Sequence, residues 1–127
     1  MKLLLSALAI FTASLVFGQD LTGRWVNTSF LGEEDQAYEF TEEGTVKMFY
    51  AGEIIETRQP VSYTLNQVGE LYHLEFAYEK KNSSFSAQVL SLVKFTGKNV
   101  IKLETFDKKN LPKEIDFTEE SLMFRRE

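Results

Sequence analysis

The sequence predicts an all-β domain, an antiparallel up-and-down meander of about eight to ten strands closed into a barrel. Three observations carry this. Past residue 20 no stretch sustains a helical period, while short runs rich in Val, Ile, Phe, Tyr and Thr recur to the last residues. Most joins between runs are the length of hairpin turns, too short for the crossovers that parallel strands need. The runs also alternate: Tyr72, Leu74, Phe76 and Tyr78 share one face, with His73 and Glu75 on the other. One apolar and one wetter side per strand fits a sheet buried on a single face. An open sheet of that many strands leaves unpaired edges, and closure removes them. A two-sheet sandwich is the competing outcome.

In chain order, strands are expected at residues 23–28, 36–40, 45–50, 54–58, 61–65, 71–78, 85–95, 100–106, 113–117 and 122–125. The third sets Val46, Met48 and Tyr50 against Thr45, Lys47 and Phe49, and the last alternates Leu122 and Phe124 with Met123 and Arg125. Glycine opens or closes most turns, as in Glu42-Glu43-Gly44, Ala51-Gly52-Glu53 and Gly97-Lys98-Asn99. Pro60 cannot donate a ladder hydrogen bond, so it marks a break or bulge before the fifth strand. An aromatic followed by Thr and a polar turn recurs at Phe40-Thr41, Phe95-Thr96 and Phe117-Thr118, a repeated hairpin grammar with unequal spacing. Phe30 to Asp35 is read as either a short helix or a lid after the first strand.

Met1-Lys2 gives a positive start, and Leu3 to Phe17 is apolar apart from Ser6, Thr12 and Ser14. That run is about 15 residues, short of the roughly 20 a spanning helix needs, and Val16-Phe17-Gly18 suits a signal peptidase. Residues 1–18 are therefore read as a signal peptide, with cleavage after Gly18 or alternatively after Gln19. No cysteine stands at the junction, so no lipid anchor is expected there. Residues 19–127 form a single domain, periplasmic or secreted, with no membrane anchor in the mature chain. Losing Lys2 takes the formal net charge from −5 to −6. Without clustered Lys or Arg, nucleic acid is not an expected partner. With no cysteine in the chain, thiolate metal sites, thiol nucleophiles and disulfides are excluded. Stability must come from apolar burial, which nine Phe, five Tyr and Trp25 in the mature part can supply.

Leu21-Thr22-Gly23-Arg24-Trp25, followed by an all-β meander, resembles the lipocalin-like families of small secreted bacterial barrels. The resemblance implies a lipocalin-like barrel in which Gly23 and Trp25 lie on the opening strand. It also implies that the indole packs across a closed end, with Arg125 or Arg126 over it. Phe40-Thr41-Glu42-Glu43-Gly44-Thr45-Val46 is similar to a hairpin common in these families. The chain is shorter than typical lipocalins, lacks their disulfide and shows no clear helix against the barrel.

Candidate chemistry is sparse. His73 and Glu75 share one strand face, which suits a general base or a metal ligand but reads most simply as a surface pair. Glu33-Glu34-Asp35 lacks the alternating ligands of a calcium loop. Glu42-Glu43 and Glu119-Glu120 read as hairpin tips. No catalytic residue, metal or cofactor is assigned, and the protein is read as non-enzymatic. The aromatic and Met set Met48, Tyr50, Tyr63, Tyr72, Leu74 and Phe76 either fills the interior or lines a mouth for one small hydrophobic ligand. The alternative is a protein-binding module, such as an inhibitor of an exported protease. It would offer Gln19 to Thr22 as bacterial metalloprotease inhibitors with a similar first strand do.

Overall fold

Trp25 has two strand neighbours, Tyr38 on one side and Arg126 on the other, and that double pairing closes the sheet. A computed structural model describes residues 20–29 and 36–127. The proposed signal peptide and the Phe30 to Asp35 segment lie outside the described residues. The strands are β1 Gly23–Asn27, β2 Ala37–Phe40, β3 Thr45–Tyr50, β4 Glu53–Ile54, β5 Val61–Val68, β6 Leu71–Glu79, β7 Ser86–Gly97, β8 Val100–Asp107 and β9 Leu122–Arg126. Eight of them form a closed antiparallel barrel in the order β1-β2-β3-β5-β6-β7-β8-β9 and back to β1, and β4 folds onto β3 as an extra strand. The barrel, not the sandwich, is the architecture.

Two expected strands are absent, each for a physical reason. Residues 54–58 pair with β3 at Ile54, keep one bond to it from Ile55 N to Met48 O, and then leave it, making a single bridge from Thr57 to Lys80. Pro60 lacks the N–H needed to continue the ladder, so the segment crosses to the end of β6. There Arg58 N donates to Glu79 O and Lys81 N to Glu56 O, both at 2.9 Å. Residues 113–117 alternate like a strand but find no edge to join, because β8 is already paired with β7 and β9. The third Phe-Thr phrase therefore ends a loop and not a hairpin.

Register assigns the faces. Val93 opposite Tyr72, Ser91 opposite Leu74 and Val89 opposite Phe76 point into the barrel. Opposed residues inside include Ser91 and Thr105, whose hydroxyls are 3.0 Å apart, so the buried serine is satisfied. Leu90 and Leu92 must then point outward, yet they are only 5% and 1% exposed. The chain from Lys108 to Ser121 covers that outer face as a strap. It opens in a 3-10 turn, Lys108–Asn110, whose Lys109 N donates to the Asp107 carboxylate at 2.9 Å.

Three contacts pin the strap to outward residues of the wall. Lys108 pairs with Glu75. Glu104 accepts from Thr118 N at 2.9 Å and from its hydroxyl at 2.6 Å. The Lys102 ammonium lies 5.2 Å from the Phe117 ring centroid. These contacts hold the strap across the outer face that carries Leu90 and Leu92.

Leu92→Ala is expected to cost about 2–4 kcal/mol in urea unfolding, as a core leucine would, despite lying outside the barrel. A loss under about 0.5 kcal/mol, typical of an exposed position, would contradict the covering role of the strap.

Candidate functional site

The two ends of the barrel differ in how they are finished. At one end lie the 20–22 segment, Arg126 and the short turns 41–44, 69–70 and 98–99. Leu21 and Trp25 are fully buried there, and the indole Nε1 donates to Leu21 O at 2.8 Å. The Arg126 Cζ stands 4.5 Å from the Trp25 ring centroid. Its Nη1 donates to Thr22 O at 3.0 Å, and its Nη2 to Asp20 O at 3.1 Å and Lys98 O at 3.2 Å. One guanidinium therefore joins the entering segment, the last strand and the β7–β8 turn over the indole. The stacking alone is worth about 0.5–2 kcal/mol.

Gly23 makes the close approach possible. Its φ is +124°, and a Cβ there would meet Arg126 Cδ at 3.2 Å. Arg125 is exposed on the outer face, so of the two arginines Arg126 makes the closure.

Above this seal the interior is filled by interlocked rings. Trp25 meets Phe95 edge-on at 6.3 Å, and Phe95 meets Tyr72 at 5.5 Å. Phe40 contacts Tyr63 at 5.0 Å and Tyr38 at 6.0 Å, while Tyr38 also touches Phe124 and Phe76. Of the expected lining residues, Met48, Tyr72, Leu74 and Phe76 are buried in this one cluster, with Tyr63 packed against it. They are brought together as mutual packing. Tyr50 is set apart, 50% exposed at the rim, because it ends β3 beyond the filled interior. Tyr72 sits against Phe95, toward the sealed end and away from the mouth.

At the other end the wall is incompletely zipped. β3 and β5 pair at Thr45 with Ser62 and Val46 with Val61, whereas β5 and β6 pair from Tyr63 with Phe76 to Val68 with Leu71. Above Val46 the gap is spanned by the segment that runs from β4 to Arg58, held to β3 by Ile55 N donating to Met48 O at 2.8 Å. Beneath this crossbar is a cavity of about 360 Å³, with apolar walls from Val46, Met48, Ile54, Ile55, Pro60 and Val61. Lys47, Glu56 and Lys81 also line it. A second cavity of about 630 Å³ shares Ile54, Ile55, Glu56 and Lys81 and adds Tyr50, Glu53 and Lys80. Sequence reasoning reached Met48 and Tyr50 but missed Ile55, Pro60, Val61 and Lys81. The break at Pro60 was the one signal that the wall departs from regular pairing here.

His73 and Glu75 do share the outer face of β6, but Glu75 is committed to Lys108. Among the described residues no group of three or more His, Asp or Glu side chains could hold a metal ion. Glu33-Glu34-Asp35 lies outside the described residues. Glu42, Glu43, Glu119 and Glu120 are exposed in turns. Among the described residues no helix is long and apolar enough to cross a membrane. Compared with known protein families, curated proteins and solved structures, the chain matches none.

Tyr38, in the middle of the ring cluster, is the most perturbed titrating group among the described residues. Burial pushes its phenol from 10.0 up to about 12, and Tyr78 nearby adds to this, while a side-chain hydrogen bond with Gln36 works against it. Between those two values the unfolded chain has released the proton and the folded chain still holds it. Stability therefore falls as pH rises through that window and levels off above it. Alkaline denaturation of the native chain should show this decline, and Tyr38→Phe should reduce its slope, leaving the part due to Tyr63 and Tyr78, whose phenols burial also pushes up. An unchanged slope in Tyr38→Phe would show that the phenol is not held in the interior.

Proposed function

We propose that the protein is an exported, non-enzymatic, lipocalin-like barrel that binds one small hydrophobic ligand at its open end. The observation that carries this reading is the apolar cavity under the crossbar, placed where the β3–β5 seam stops and the other end is sealed. Its volume, about 360 Å³, falls within the range of small-molecule sites. Of the five large apolar side chains exposed among the described residues, Tyr50 and Ile54 on β3 and β4 and Phe85 and Leu111 in loops stand at this end, and Val68 at the sealed one. A ligand seated there would cover surface that the chain leaves in water.

The fixed N-terminal segment favours this reading over a protease inhibitor. Residues 20–22 would have to enter an enzyme cleft, but Leu21 is buried and the carbonyls of Asp20 and Thr22 are taken by Arg126.

A ligand that binds only the folded chain raises its melting temperature by mass action. Thermal unfolding with a panel of single-chain lipids, a sterol, haem and a quinone should show one class raising Tm by several degrees. Met48→Glu, which puts a charge on the cavity wall, should abolish the shift. A flat response to every compound up to its solubility would contradict the reading.

A further inference from the structure

The β3–β5 seam also stops short at the sealed end, and there it leaves a strand edge bare. β5 pairs with β3 at Val61 and Ser62, and the last main-chain bond across the seam runs from Tyr63 N to Gly44 O at 3.0 Å. β5 nevertheless continues to Val68, paired on its other side with β6. Since the Tyr63 N–H faces β3, the two-residue period turns the N–H and C=O of Leu65 and Gln67 the same way. The corresponding groups of Thr64, Asn66 and Val68 face β6. Among the described residues no strand meets Leu65 or Gln67 on the bare side.

We infer that this edge is an interaction surface, taking one extended segment of a partner protein by strand addition. The segment it fits is a β-branched run with Lys or Arg at each end. Sheets ordinarily blunt an open edge with charge, proline or a bulge. Here Val61 to Gly69 contains neither a charged residue nor a proline, and the β5–β6 register is unbroken from Tyr63 to Val68. The edge is also held in place. Gly69, at φ +65°, turns the hairpin within two residues, and Leu65 packs against the barrel core opposite Leu74. A partner therefore meets a formed template of two donors and two acceptors, with little ordering left to do on this side.

Charge decides the occupant. Glu42 and Glu43 stand in the turn beside the Thr64 end of the bare stretch, and Glu70 stands at its Val68 end. All three are exposed, and among the described residues none is in an ion pair. A basic residue at each end of an added strand thus meets a carboxylate. A second copy pairing antiparallel would instead bring its own Glu70 toward Glu42 and Glu43, in a chain whose formal net charge is −5. Between the ends the outward row is Thr64, Asn66 and Val68, uncharged, with Val68 52% exposed. A β-branched neighbour on the added strand covers it, as cross-strand pairs do. The bare stretch is about 14 Å long, so a single segment binds weakly and reversibly.

The test is an NMR titration of the full chain with the capped peptide Lys-Thr-Val-Thr-Val-Thr-Lys. Its controls are the same peptide with Glu at both ends and the Lys peptide N-methylated at its five inner residues. In the free chain the Leu65 and Gln67 amides should exchange fast, while those of Thr64 and Asn66 are protected by β6. The Lys peptide should shift Leu65 and Gln67 saturably and slow their exchange. It should bind about tenfold more tightly than the Glu peptide, a margin that shrinks with added salt. The N-methylated peptide should not bind. Gln67→Pro, which removes an outward N–H and leaves the β6 ladder intact, should abolish binding. Glu43→Lys combined with Glu70→Lys should reverse the preference between the two end charges.

Protection of Leu65 and Gln67 in the free chain would overturn the inference, and its loss on dilution would assign the edge to a second copy. Equal binding of the Lys and Glu peptides would overturn the charge assignment. Undiminished binding of the N-methylated peptide would overturn strand addition, as would the absence of any shift along β5 with all three. None of these outcomes bears on the cavity under the crossbar, which lies at the other end of the barrel.

Discussion

Closure of the sheet through β1 is the constraint on which the other features rest, and one side chain does most to fix it. Trp25 occupies the register position between β2 and β9, and Arg126 reaches across the indole to three backbone carbonyls from two different segments. A guanidinium suits this task because its planar fork can stack on a ring while donating in several directions. Gly23 is needed because any larger residue would press on the arginine stem. With both edges of β1 paired, the barrel has no lateral edge at that seam to recruit another strand. In a chain without cysteine, this clamp and the ring cluster above it hold the closure with no covalent cross-link.

The consequence is an asymmetric molecule. One end is tied by short turns and a buried indole. The other carries the crossbar, the incompletely zipped seam and four of the five exposed large apolar side chains among the described residues. Local opening is cheapest where few ladder bonds must break, so the barrel wall opens most easily at the β3–β5 gap and not at the sealed end. The strap over Leu90 and Leu92 stiffens the opposite wall, which concentrates any give in the barrel on the seam side.

Much of the fold was legible because strands with one wet face write their period into the sequence. Tyr72 to Tyr78 announced both a strand and its inner face, and the run Leu21 to Trp25 announced the opening strand. The parity of the last strand even selects Arg126 over Arg125, since Phe124 points inward. What failed was non-local. Glu114, Ile115, Asp116 and Phe117 alternate as a strand does, but whether an edge is free depends on β7 and β9, far away in sequence. Likewise the course of 54–58 depends on where β6 ends. The lining residues show a different limit: an inward apolar side chain looks the same whether it fills a barrel or borders a space, so Met48 and Leu74 could not be told apart until their neighbours were known. Lys81, in a turn, carried no periodic signal at all.

Native-state hydrogen exchange at the β1–β9 seam tests the closure most directly. Thr28 N bonds to Met123 O and Glu127 N to Arg24 O, both at 2.8 Å, while Arg126 N bonds to Asn99 O. A closed barrel predicts that the Thr28 amide is protected to the same degree as amides in the β6–β7 ladder, exchanging only on global unfolding. Fast exchange at Thr28 and Glu127 beside a fully protected β6–β7 ladder would show a sheet that never joins its ends.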